Sequence, residues 1–324
     1  MRAAIYRSHG SARRVLRMED AADPHPGPGE ARVRIHVSGV NPTDWKARRS
    51  GGRSLEAGFQ VPNQDGAGEI DEVGEGVESA RLGERVWVYN AAYRRPWGTA
   101  AQFTVVPAGQ AVRLPDHVGY EVGASLGIPA MTAHRALFAD GRIAGEWLLV
   151  AGGAGAVGYH AIALARRAGA KVISTVSSES KAALARRAGA HHVFNYREAA
   201  TPDAIRQLTP NGVSRIVEVA PVANSQFDEK ILAENGTIAV YASDVQEWSI
   251  EPAKLMSRNT TLRFILVYEM PVQAKADAVR DITAALEAKE LPAMDFVRFP
   301  IEEIAAAHDA VEGGTVGKVV LEVT

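Results

Sequence analysis

A chain of 324 residues has room for two domains and a large core. Its hydrophobic fraction of 46% and charged fraction of 23% are ordinary for a soluble globular protein, and a formal net charge of -2 leaves no electrostatic footprint for nucleic acid or an anionic membrane. Cysteine is absent, which excludes disulfides, thiolate catalysis and every cysteine-based zinc site.

The opening run Met1-Arg2-Ala3-Ala4-Ile5-Tyr6 reads as a strand and lacks the long apolar core of a signal peptide. No uninterrupted apolar segment reaches the length of a membrane span, so a cytoplasmic enzyme is expected. Residues 1–122 alternate short strands with Gly/Pro punctuation. Asp23-Pro24-His25-Pro26-Gly27-Pro28-Gly29 is a stiff turn, and Ala31-Arg32-Val33-Arg34-Ile35-His36-Val37 alternates as a half-buried strand should. Further strands follow in 66–74, 83–89 and 99–106, a pattern suited to antiparallel, partly barrel-like packing. The arginine pairs at 13–14, 48–49, 94–95, 166–167 and 186–187 are scattered, and most are expected on solvated faces or in contacts between subunits.

From Glu121 to about residue 267 helices and strands alternate. Trp147-Leu148-Leu149-Val150-Ala151 is a continuous apolar run, as a parallel strand buried on both faces requires. It enters the turn Gly153-x-Gly155-x-x-Gly158, also legible as Gly152-x-x-Gly155-x-x-Gly158, and Val157, Ala161, Leu164 and Ala165 then recur at helical spacing until Gly169. Strand, glycine turn, helix and the second strand 171–176 in that order predict a phosphate-binding turn. Residues Gly152, Gly153, Ala154, Gly155, Ala156 and Val157 would lie against the pyrophosphate of a dinucleotide.

An acidic residue commonly ends the second strand of an NAD site, where it binds the ribose hydroxyls. Here Val176 ends it, followed by Ser177 and Ser178, with Lys181 nearby. Two hydroxyls and an ammonium favour the extra phosphate of NADPH. Glu179 reads as a first-turn acid complementing the helix dipole. Tyr196 and Arg197, leaving the third strand, point to the same adenosine end. Strands at 213–219, 236–242 and 261–267 complete a six-stranded doubly wound sheet. Helices over 274–289 and 301–312 and a last strand over 318–323 remain; that strand has no place in the sheet, so the chain is expected to return to its first domain.

The segments Gly39-Val40-Asn41-Pro42-Thr43-Asp44, Asp65-Gly66-Ala67-Gly68, Gly127-Ile128-Pro129-Ala130-Met131-Thr132-Ala133-His134-Arg135-Ala136-Leu137, the glycine turn, Asn195-Tyr196-Arg197 and Gly317-Lys318-Val319-Val320-Leu321 together resemble the medium-chain dehydrogenase/reductase superfamily. Within it the chain is similar to the zinc-free quinone oxidoreductases related to zeta-crystallin, over nearly its whole length. The resemblance implies an α/β protein with a GroES-like β-rich catalytic domain (1–122 and 268–324) and a Rossmann NADPH-binding domain (123–267). It also implies a homodimer or homotetramer.

In the zinc-dependent alcohol dehydrogenases the catalytic metal is held at places that fall here at Asn41, Gln64 and approximately Ile128, and the four-cysteine structural lobe is missing. None of the nine histidines shows ligand spacing; His160, His191, His192 and His308 read as core or surface residues. No zinc is therefore expected. Without a Lewis acid, hydride transfer from NADPH to an electron-poor acceptor is the expected chemistry, either to a quinone or to the β carbon of an enone, with charge developing on a carbonyl oxygen. By resemblance, Asn41 and Lys46 are candidate catalytic residues, against readings as a turn residue before Pro42 and a solvated lysine. Trp45, Tyr89 and Tyr268 are candidate pocket residues, with Trp45 and Tyr89 equally readable as ordinary core aromatics, and Asn41, Thr132, Ala242 and Phe264 match stretches that contact the nicotinamide half. An enoyl-thioester reductase and a nonenzymatic, crystallin-like NADPH-binding protein are the alternatives.

Overall fold

The structure, a computed structural model, describes every residue except 51–54, 56, 244 and 246. The chain forms two compact units, Met1–Ile128 with Asp295–Thr324, and Pro129–Met294. In the first, β1 (Arg2–Ile5) pairs antiparallel with β2 (Arg17–Asp20). A larger sheet uses β3 (Glu30–Gly39), β4 (Asp65–Val73), β5 (Arg85–Val88), β6 (Phe103–Pro107) and β7 (Ala111–Arg113). Ala31, Val33, Ile35 and Val37 of β3 all point inward and are buried, which is the period of two that their alternation predicts. The β3–β4 register shifts between Arg32 and Val33 and again between Ile35 and Val37, and irregularities of this kind bend a long strand.

The second unit is the predicted sheet. It contains β8 (Trp147–Ala151), β9 (Lys171–Val176), β10 (His192–Asn195), β11 (Val213–Glu218), β12 (Leu232–Val240) and β13 (Thr261–Phe264), all parallel and ordered β10-β9-β8-β11-β12-β13. The winding reverses between β8 and β11, the topological switch point at which such sheets take ligands. Leu148, Leu149 and Val150 are fully buried because helices cover both faces of β8.

The chain then returns to the first unit with β14 (Phe296–Pro300) and β15 (Lys318–Glu322). As expected, β15 finds its partner outside the parallel sheet: it runs antiparallel to the end of β3, over Val37–Gly39, while β6 pairs with β3 over Glu30–Arg34.

The unit borders at 128 and 294 differ from the expected borders at 122 and 267. The helix Val272–Glu287 buries Ala278, Ile282, Ala285 and Leu286, and Asp281 meets His134 Nε2 at 2.9 Å, which ties this helix to Met131–Phe138. At the other border, Ile128 donates its N–H to Asp65 and so stays with the first unit. One arginine also departs from expectation. Arg48 is fully buried, donates to the Gly10 carbonyl and lies 3.6 Å from Glu312, whereas Arg49 beside it is exposed. The helix Pro42–Ser50 turns its Arg48 face inward, which adjacency in sequence does not reveal.

Candidate functional site

Pro42 opens the helix Pro42–Ser50 and Asp44 closes its first turn: the Asp44 carboxylate accepts the Asn41 N–H at 2.7 Å, one half of a capping box. The Asn41 side chain is thereby left for other partners. Its Nδ2 donates to Asp65 Oδ2 at 2.7 Å, and its Oδ1 accepts from Lys318 Nζ at 2.6 Å. Lys318 also donates to the Val40 carbonyl at 3.0 Å, and Asp65 accepts the Ile128 N–H at 2.9 Å. Because one end of the amide faces a carboxylate and the other an ammonium, its orientation is chemically determined.

All four side chains are buried, Asp65 completely and Asn41, Asp44 and Lys318 nearly so. Burial pushes Asp44 up to about 7, with the nearby Asp65 adding to the effect. Burial likewise raises Asp65 to about 6, against the pull of Lys318, and it lowers Lys318 against the pull of Asp65 and Asp44. At neutral pH one ammonium thus faces one full carboxylate and a second that is partly protonated. Burial of an ion pair is tolerable only with this degree of hydrogen bonding.

A second polar chain reaches Asp65 from behind. Thr99 Oγ1 donates to the Asp65 carbonyl at 2.6 Å, so Ser38 Oγ donates to Thr99 at 2.8 Å and accepts from Asn63 Nδ2 at 3.0 Å. Asn63 Oδ1 then accepts from His308 Nε2 at 3.1 Å. His308 is fully buried, and burial followed by the Arg48 charge lowers it to about 3, so it is a neutral core histidine as expected.

In the parallel sheet, Gly155 caps the helix Ala156–Arg167 without any side-chain bond, which leaves the N–H groups of the first turn available to an anion. A side chain would not fit beside them. A Cβ on Gly158 would lie 2.4 Å from the Gly152 carbonyl oxygen, and one on Gly153 would lie 2.0 Å from Ser174 Oγ. At the end of β9, Lys181 Nζ donates to Ser177 Oγ at 3.2 Å, while Ser178 caps the next helix by accepting the Lys181 N–H at 3.4 Å. Glu179, 81% exposed, reaches along its own helix to Arg186 at 2.5 Å and offers no carboxylate to the strand end.

The glycine turn, Ser177 with Lys181, and exposed Tyr196 therefore stand at the carboxyl ends of β8, β9 and β10. Ala242 and exposed Phe264, past β12 and at the end of β13, line one hollow of about 440 Å³ with Tyr241 and Leu266. Ala154 is buried, Val157 half-buried and Gly155 exposed. Thr132 and Tyr268 are buried within this unit, and the Tyr268 carbonyl accepts from Lys275.

In the first unit, Lys46 Nζ lies 5.7 Å from the centre of the half-buried Trp45 ring. Tyr89, only 7% exposed, tilts against Trp87, and its hydroxyl donates to the Gly109 carbonyl at 3.4 Å. Lys318, Asp65 and Asp44 received no role in the sequence reading. The signal available was a lysine opening the apolar strand Lys318-Val319-Val320-Leu321 and an aspartate opening a glycine-rich one.

A bent, mostly antiparallel sheet with a buried polar core, joined in one chain to a doubly wound parallel sheet, defines a medium-chain dehydrogenase/reductase. The alcohol dehydrogenase GroES-like domain matches residues 27–116, and the zinc-binding dehydrogenase domain matches residues 156–284. Quinone oxidoreductase of Rattus norvegicus is 30% identical over 312 residues, covering 95% of this chain and 93% of that one. A 2-haloacrylate reductase of Burkholderia sp is 30% identical over 308 residues, covering 91% of each. A mycobacterial protein solved in complex with NADPH superposes over the full length of both chains, with a TM-score of 0.87 at 29% identity. The chain belongs to the quinone oxidoreductase family of the medium-chain dehydrogenase/reductase superfamily, and it is an oxidoreductase.

Proposed function

We propose that this protein is an NADPH-dependent, zinc-independent reductase that transfers hydride to a quinone or an α,β-unsaturated carbonyl. The observation that carries the reading is the bond between Lys318 and Asn41. Where the resemblance places a zinc ligand, this chain has an amide engaged at both ends with an ammonium beside it; the other two places hold the amide of Gln64 and the alkyl side chain of Ile128. That donor set does not suit zinc.

NADPH fits the second unit. The turn has no room for a side chain at Gly153 or Gly158, the first-turn N–H groups of Ala156–Arg167 would take the pyrophosphate, and Ser177 with Lys181 would take the additional phosphate. When bound, NADPH supplies the hydride. The chain's own residues must then stabilise charge on the acceptor's carbonyl oxygen, and Asn41, with one N–H beyond its Asp65 bond, and Lys46 are the donors proposed for this. A relative that reduces a haloacrylate supports including conjugated double bonds among the acceptors. By the same resemblance the working form is a homodimer or homotetramer. No helix among the described residues is long and apolar enough to cross a membrane.

The test is NADPH oxidation by chelator-treated protein against a panel of quinones and enones, with enoyl-thioesters alongside. Turnover of quinones or enones without metal is the expected result. Tight NADPH binding with no turnover of any acceptor would overturn the reading in favour of a binding protein, and turnover of enoyl-thioesters alone would reassign the substrate.

A further inference from the structure

Building on the NADPH reading, we infer that Glu218 and Asp228 are a positioning pair for the dinucleotide: together they hold Val219 against Gly152 and so fix the turn that receives the pyrophosphate. Glu218 closes β11 beside β8, at the switch point, and both carboxyls are buried. The helix Pro221–Ile231 follows with no side-chain cap from Ala220 and no acid in its first turn. Glu218 supplies what is missing. Its Oε1 accepts the Ala220 N–H and, at 3.0 Å, Asn224 Nδ2, which sets a carboxylate at the positive end of that helix. The two helix starts at the switch point therefore differ: this one is closed by a side chain, and that of Ala156–Arg167 stays open to an anion.

Asp228 completes the arrangement from further along the same helix. Burial raises Glu218, against hydrogen bonds from Ala220, Asn224 and Asp228. Burial, then the Glu218 charge and the hydrogen bond to it, raises Asp228 well above the carboxylate range. Two buried carboxyls in contact hold one proton between them, and Asp228 carries it and donates it to Glu218. The strand end, the loop and the body of the helix are thus tied at one carboxylate.

Val219 is the side chain this places. It lies between Glu218 and Ala220, and its Cγ1 is the atom that a Cβ on Gly152 would meet, at 3.4 Å. Gly152 has φ +68°, and its carbonyl accepts the Gly155 N–H at 2.9 Å and faces Gly158. Val219 therefore rests on the residue whose carbonyl orders the phosphate turn. Without the Asp228 donor, Glu218 loses part of its hold on the loop, and the turn loses that wall.

The test is the NADPH dissociation constant, read by cofactor fluorescence. Asp228→Asn keeps a donor toward Glu218 and should bind within about twofold of the unsubstituted protein, whereas Asp228→Leu, which has none, should bind about tenfold more weakly. Val219→Ala leaves the pair intact and should also weaken binding. The double variant Asp228→Leu/Val219→Ala should lose no more than Asp228→Leu alone, because both changes act through one contact. In the cofactor-free protein, the Val219 methyl signals, identified by their loss in Val219→Ala, should move in Asp228→Leu and stay in place in Asp228→Asn. An unchanged constant in Val219→Ala, equal losses in the two Asp228 variants, losses that multiply in the double variant, or unmoved methyl signals would each overturn the role of the pair while leaving the cofactor standing. No NADPH binding by the unsubstituted protein would overturn the cofactor reading and this role with it.

Discussion

Lys318 Nζ donates to Asn41 Oδ1 at 2.6 Å, joining the final strand to the start of the helix Pro42–Ser50 across 277 positions of sequence. The bent strand β3 makes this possible. It offers one edge to β6 over its first half and to β15 over its last residues, which sets Lys318 beside Asn41. The ammonium is the main positive charge facing Asp65 and Asp44, so the three groups and the amide stand or fall together.

Replacing Lys318 with Met should therefore destabilise the fold by about 3–5 kcal/mol, because it leaves buried carboxylates without their partner. Adding Asp65→Asn should recover much of that loss. Guanidinium unfolding midpoints of the two single variants and the double variant give the coupling; strictly additive losses would contradict a shared network.

Stability should also carry a signature of Asp44. Its carboxyl is raised from 3.8 to about 7, so the folded chain keeps a proton that the unfolded chain has released. The proton's contribution is fully present below about pH 4 and is lost as pH rises to about 7. Unfolding free energies of the protein minus those of Asp44→Asn should accordingly fall across that window, by a few kcal/mol at most, and stay level above it. A difference that rises with pH would show the carboxyl to be ionised in the fold.

Lys181→Ala should weaken NADPH by about tenfold while leaving NADH within about twofold, since only the extra phosphate meets that ammonium. Cofactor fluorescence titration measures both. Equal weakening of the two would mean that Lys181 supports the helix Glu179–Arg187 rather than the phosphate.

In the glycine turn, Gly158→Ala would push a methyl carbon to 2.4 Å from the Gly152 carbonyl oxygen. The helix Ala156–Arg167 would have to move away from β8, at a cost of about 1–3 kcal/mol and with loss of dinucleotide affinity. Thermal unfolding with and without NADPH should show a lower midpoint and little stabilisation by the cofactor.

Asn41→Ala and Lys46→Ala should each lower kcat/KM for quinones by at least about tenfold. Asn41→Ala should in addition cost about 1–3 kcal/mol of stability, since it strips hydrogen bonds from Asp65 and Lys318. Full activity in both variants would remove the two residues from the acceptor's surroundings.

The parallel sheet, its glycine turn, the inward face of β3 and the return of the last strand to the first unit were all legible in residue order, because each rests on a local period or a turn between neighbours. The placing of Ser177 and Lys181 near the end of β9 was legible too, since both follow Val176 within five residues, whereas the hydrogen bond between them was not. The partners of Asn41 were not. Lys318 and Asp65 reach it through strand pairings that no local pattern specifies, and a lone lysine opening an apolar strand is equally consistent with a solvated strand end. The burial of Arg48 and the allegiance of Val272–Glu287 to the parallel-sheet unit were hidden for the same reason. Periodicity identifies the face an element buries, whereas only packing between distant segments decides which polar groups meet there and share their protons and charge.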